Sequence, residues 1–163
     1  NNEFEEALKT LRYIEDNSKG NSYLGKIVKY YYSQVFMEQN NKKNFDIYTN
    51  ELLAFGGMWA LLAHELRGHF QFANKDYENA LKNFNKIIQN QQSTVSIRNR
   101  AQEMIDETIS RYEKFLAKKK TADEAHDNAK KEDSELEDGE IVEDYPIKTD
   151  DLNKSGNWGD MED

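Results

Sequence analysis

The stretch GHFQFANKDYENALKNFNKI, residues 68–87, decides the fold. Its second half places Tyr77, Ala80, Phe84 and Ile87 at steps of three, four and three, which is one face of an α-helix. The polar link Asn74-Lys75-Asp76 separates that helix from an apolar run before it. The same pattern stands twice upstream, as Phe4, Ala7, Leu11, Ile14 and as Phe45, Tyr48, Leu52, Phe55. The aromatics that lead the three copies are 41 and 32 residues apart, the range of helical-hairpin repeats.

Working outward, each interval between copies holds one more helical pattern. Tyr23–Gln39 precedes the second copy and Met58–Ala73 the third, the latter with Trp59, Leu62, Leu66 and Phe70 on one stripe. A last helix is expected over Ser96–Lys120, with Ile97, Ala101, Ile105, Ile109 and Tyr112 as its apolar stripe. Its lysine-rich end suits a helix C-terminus, and the helix would seal the final hairpin as terminal caps do in repeat arrays. The run KIVKYYYSQVF is rich in β-favouring residues, but its place in the repeat and its period favour a helix. One proline and eight glycines agree with long helices and few turns. The expectation is therefore all-α: about six helices, a single second helix of a hairpin, two full hairpins, and a C-terminal capping helix.

Charge divides the chain. Residues 121–163 carry 16 acidic and 4 basic side chains, a balance of −12, whereas residues 1–120 carry 15 and 18, or +3. The reading is a repeat domain over 1–120 and an acidic tail over 121–163, with one short helix and then mostly disorder. Ile141-Val142, Tyr145–Ile147 and Trp158 are the tail's apolar clusters. An acidic tail repels nucleic acid, and only five of the 22 basic residues are arginine, so no nucleic-acid partner is expected. No cysteine is present, which excludes disulfides and thiol catalysis. The chain contains no apolar run long enough for a transmembrane segment and no signal peptide, and it opens already in a helical pattern. That opening points to further residues upstream of Asn1.

Two of the three histidines sit in HELRGH, residues 64–69, which looks like the zinc-protease signature. That signature needs histidines four apart on one helix face. His64 and His69 are five apart, which turns their rings ~140° from each other about the helix axis. No metal and no cofactor are expected. Gly56-Gly57 reads as a helix stop, since no Gly-Lys-Ser/Thr follows it. No set of nucleophile, base and orienting group stands out, so the chain is read as a non-enzyme.

Gly68–Ile87 resembles a tetratricopeptide repeat. In that family a small residue on the first helix of a hairpin lets the second helix approach closely, and an alanine and a large apolar residue of the second helix pack there. Gly68, Ala80, Phe84 and Ile87 match these positions by spacing, and Tyr77 matches the aromatic at the turn. Arg67 stands where a leucine is usual, and Gln71 where an aromatic is usual. The longer run from Trp59 to about Arg111 is similar to the tetratricopeptide-like domain of YfgM-type proteins, ancillary subunits of the bacterial Sec translocon. Glu65, Leu66, Arg67, Gly68 and Ala80 carry that similarity.

The general resemblance implies an inner groove. Glu65, His69 and Phe72 take groove positions in the last hairpin, and Tyr30, Ser33 and Met37 the equivalent ones in the hairpin before. Such a groove suits an extended or helical peptide. The narrower resemblance implies a single N-terminal membrane anchor, a domain on the periplasmic side of the inner membrane, and a translocon or periplasmic-chaperone partner. A cytosolic adaptor is the alternative, and a homo-oligomer is compatible with either.

Overall fold

The fold is that of a computed structural model, which describes residues 2–18 and 23–137, with side chains to residue 126. Among these residues there are six helices and no strand: α1 (Asn2–Asn17), α2 (Tyr23–Glu38), α3 (Lys42–Phe55), α4 (Gly57–Ala73), α5 (Tyr77–Gln89) and α6 (Val95–Glu137). The chain divides into two units, Asn1–Lys120 and Thr121–Asp163. In the first unit each of α1 to α5 packs on its neighbour in sequence, and α2 also lies against α4. The helices are packed in a repeat-like arrangement compatible with a tetratricopeptide-like fold.

The two hairpins share one turn. At the end of α2, Asn40 has φ +51°, its N–H donates to the Met37 carbonyl, and the Asn41 N–H donates to Phe36 O. At the end of α4, Lys75 has φ +62°, its N–H donates to Phe72 O, and the Asp76 N–H donates to Gln71 O. Both are the paired closing bonds of a helix that ends on a left-handed residue. The next residue then caps the following helix: Asn41 Oδ1 accepts from the Asn44 N–H, and Asp76 Oδ1 from the Asn79 N–H. The Asn74 side-chain amide donates to Asn40 Oδ1 at 3.3 Å and so ties the two turns together. Between α3 and α4 the link is shorter still. Gly56, at φ +70° and ψ −171°, occupies a backbone region essentially reserved for glycine.

Two apolar cores share α4. Leu11, Val28, Tyr32, Phe36, Phe45 and Leu52 of α1 to α3 meet Ala63, Leu66 and Phe70 of α4. Leu61 of α4 instead joins Ala80, Phe84, Ile87, Ala101 and Ile105 of α5 and α6. A helix buried on both sides is apolar around most of its girth, which explains the run MWALLA and why Leu61, outside the expected stripe, is buried. Gly68 of α4 faces the Phe84 ring of α5. A Cβ there would lie 2.5 Å from Cε1 of Phe84. Phe84, rather than Ala80, is the residue that a side chain at position 68 would strike first. Tyr77, Ala80, Phe84 and Ile87 are all buried.

The capping helix departs from expectation in two ways. It starts after Thr94, whose Oγ1 accepts from the Ile97 N–H, and it continues without interruption past Lys120 to Glu137. Its buried positions include Ala101, Ile105 and Thr108, while Ile109 is 42 % exposed. Successive steps of four advance ~40° each around a helix, so a stripe read as 97, 101, 105, 109 drifts off the contact. A step of three brings in Thr108, whose hydroxyl donates to the Met104 carbonyl. Disorder is expected from Glu132, but α6 remains helical through Glu137; the rest of that stretch and the tail's apolar clusters fall on residues 138–163, outside the described residues.

Candidate functional site

Successive groove positions on α2 and α4 are separated by three or four residues, so each set forms a stripe along its helix. Because α2 lies against α4, the two stripes become neighbours. Met37, His69 and Phe72 line one cavity of about 540 Å³, together with Glu38 and Phe70. A charged pair lies beside them. Arg100 reaches from α6 to Glu65 and grips it with two bonds, Nε to Oε1 at 2.7 Å and Nη2 to Oε2 at 2.9 Å. This fork geometry orients both side chains. The Tyr30 phenol is half-buried nearby; burial, and then the Glu65 charge, push its pKa up. Its oxygen accepts from Gln34 Nε2 at 3.1 Å, and its ring meets the exposed Tyr31 edge to face at 5.7 Å.

Ser33 does not belong to this surface. It is fully buried, and its hydroxyl donates to the Lys29 carbonyl at 2.9 Å. On the helical wheel Ser33 lies ~60° from Tyr30 toward the core stripe of Val28, Tyr32 and Phe36. Gln34 lies on the other side of Tyr30, away from that stripe, and is partly exposed. Five of the six expected groove residues thus remain at least partly accessible, and Arg100 and Gln34 join them. Arg100 is invisible to a search within one repeat, because its partner Glu65 stands 35 residues away on another helix.

The two histidines have separate surroundings. His64 Nδ1 donates to Asn83 Oδ1 at 2.9 Å, because the Asn83 amide nitrogen is itself the donor to Gln71 Oε1 and Asn79 O. His69 packs its ring against the Phe84 ring at 5.4 Å. Among the described residues no group of three His, Cys, Asp or Glu side chains could hold a metal ion.

Burial lowers the pKa of both rings. At His64 the bond to Asn83 opposes this, and at His69 the Glu65 charge does. A histidine whose folded pKa lies below its unfolded value of ~6.5 binds fewer protons in the folded state, so stability rises with pH across that gap. Stability is thus complete above ~6.5 and declines as the pH drops below it. The melting temperature should fall between about pH 7.5 and about pH 5.5, roughly one unit above and below the free-histidine value of ~6.5. His64→Gln and His69→Gln should each flatten the slope. Equal slopes in the parent and both variants would show that neither ring is held neutral.

No protein-family model matches the chain, and the comparisons with curated proteins and with solved structures also give no match.

Proposed function

We propose that this chain is a protein-interaction module, not an enzyme, and that it holds a peptide segment of another protein on the face shared by α2, α4 and α6. The observation that carries this is that Met37 of α2 and His69 and Phe72 of α4 line one cavity, and that the Glu65–Arg100 pair lies close enough to act on both His69 and the Tyr30 phenol. Aromatic and thioether groups offer apolar contact area, and the oriented Glu65–Arg100 pair offers both charges to a peptide's polar groups.

The resemblance to YfgM-type proteins supports a narrower reading. In it the chain belongs to a bacterial envelope protein anchored in the inner membrane, with this domain on the periplasmic side. The partner would be the Sec translocon, one of its clients, or a periplasmic chaperone. No helix among the described residues is long and apolar enough to cross a membrane, so an anchor would have to lie elsewhere in the full protein. The gene sequence upstream of Asn1 tests this directly. A run of ~20 apolar residues supports the envelope reading, and a polar start favours a cytosolic adaptor.

The interaction itself is tested with a photo-crosslinking residue placed in cells at Phe72, at Met37, or at exposed Ile47 on α3 as control. Discrete adducts are expected from the first two positions only. Glu65→Lys and Arg100→Glu should each reduce them, and the double reversal should restore them. An exposed ion pair contributes only ~0–1 kcal/mol to stability, so these variants should remain folded. Equal adduct yield from Ile47, or none from Phe72 and Met37, would refute the proposal.

A further inference from the structure

The side of α4 turned away from this face holds a larger cavity, of about 760 Å³, between α3 and α5. Arg67 follows Glu65 by two residues, ~200° around the helix, and points its chemistry to that side. Arg67, Asn50, Gln71, Asn74, Asn83 and Lys86 contribute to the lining. Its size is that of an ordinary ligand pocket, and apart from Phe45 and Phe70 its walls are amides and charges.

Arg67 is the unusual group. Its Nε donates to Thr49 Oγ1 at 3.0 Å and its Nη2 to Asn50 Oδ1 at 2.8 Å. Both acceptors are neutral. Among the described residues no carboxylate lies within ion-pair distance of it. The two carboxylates that do line the cavity are engaged: Asp46 with Lys42, and Asp76 with the first turn of α5. Burial accordingly lowers the Arg67 pKa, with the more distant Asp46 charge acting in the opposite sense. A half-buried guanidinium has five donors, and here protein acceptors take two. A desolvated charge without a counter-charge is costly, and an incoming anion relieves that cost.

We propose that this cleft binds a carboxylate carried by an extended peptide, with Arg67 as the anion-binding group. The proposal does not rest on the α2–α4–α6 face, although the two cavities meet at Asn40, Phe70 and Asn74. Three residue charges of one sign (Lys42, Arg67, Lys86) and two of the other (Asp46, Asp76) leave the lining with a single positive charge. That balance suits a carboxylate. A doubly charged phosphate would leave the cleft with a net charge of −1. The main chain of the ligand is read by the amides. Asn50 Nδ2, Gln71 Nε2 and Asn74 Oδ1 have no protein hydrogen-bond partner among the described residues, whereas the opposite ends of the same amides do. Two donors and one acceptor facing a cleft match the carbonyls and N–H groups of an extended chain.

Solution NMR on the full ¹⁵N-labelled chain tests this. The probes are an acetylated and amidated Ala-Glu-Ala peptide, its Ala-Gln-Ala counterpart, acetyl-Ala-Ala-Ala with a free carboxylate, and inorganic phosphate, each at millimolar concentration. The expected result is a shift of the Arg67 Nε–H signal and of the Asn50 and Gln71 side-chain amides with a carboxylate peptide. The Gln peptide should bind at least ~10-fold more weakly, the loss of one charge-assisted bond. Whether the Glu side chain or the free terminus binds better identifies the source of the carboxylate. Arg67→Gln should remove the response, and Lys86→Glu, an exposed change that leaves the Thr49 and Asn50 bonds alone, should weaken it severalfold. The proposal is overturned if Glu and Gln peptides bind alike, if phosphate binds more tightly than either carboxylate, if no probe shifts these signals, or if carboxylate binding survives Lys86→Glu unchanged.

Discussion

Gly68→Leu is expected to abolish stable packing of α5 on α4, and even Gly68→Ala should lose stability. In an exposed helix interior, glycine to alanine gains ~1 kcal/mol from propensity. Here the added Cβ would stand 2.5–2.8 Å from three carbons of the Phe84 ring, and that ring is itself fully buried. An aromatic ring packed on all sides cannot swing away as the end of a lysine can. Overpacking of this kind costs ~1–3 kcal/mol or more, so it outweighs the propensity gain. The net loss should be ~1–2 kcal/mol for alanine and above ~3 kcal/mol for leucine, a large share of the ~5–15 kcal/mol typical of a whole domain. Urea denaturation followed by far-UV circular dichroism measures both. In a Phe84→Leu background the alanine change should cost less, since the two residues are in contact and their effects couple. An alanine variant that is more stable than the parent, with no coupling to position 84, would mean that the helices stand apart at Gly68.

Phe45→Ala should cost ~3–5 kcal/mol, whereas Phe4→Ala should cost less than half as much. Both residues lead a copy of the same sequence pattern, and periodicity alone treats them as equals. Phe45 is 1 % exposed, lies in the larger core, and stacks on Phe70 with ring centroids 4.5 Å apart. Phe4 belongs to α1, whose main packing partner is α2, and is only partly buried. Removing the first ring leaves a cavity enclosed by α2, α3 and α4; removing the second exposes a site that water already reaches. Thermal or urea unfolding of the two variants side by side gives the ratio. Equal losses would show that α1 is as enclosed as the inner helices.

Helix order, the positions of the turns and the close approach at Gly68 were legible in the sequence because each is a local property. A stripe at steps of three and four, a small residue at a fixed offset, and an asparagine or aspartate ahead of a helix all declare themselves within a few residues. The residues that share one face of α2 and of α4 were legible for the same reason, as far as their register goes. The side of the stripe on which a residue falls was not. Ser33 and Gln34 both satisfy a step of three or four from Tyr30, and the core of Val28, Tyr32 and Phe36 decides that Ser33 turns inward. Thr108 displaces Ile109 on α6 in the same way, by the drift of a helix against a fixed neighbour.

The contacts with chemical content were decided only by tertiary structure. Arg100 meets Glu65 across 35 residues, and Arg67 meets Thr49 and Asn50 across 18 and 17. Nothing in periodicity pairs these residues, because their meeting depends on how closely and at what angle one helix crosses another. The same crossing leaves Arg67 half-buried between two neutral acceptors rather than beside a carboxylate. By itself, then, the sequence determined which residues become helical and which faces of those helices are apolar, since a repeating 3.6-residue period is a one-dimensional signal. The packing of α4 between two cores determined which polar groups are shut away and which line a cavity, since burial is set by neighbours distant in the chain.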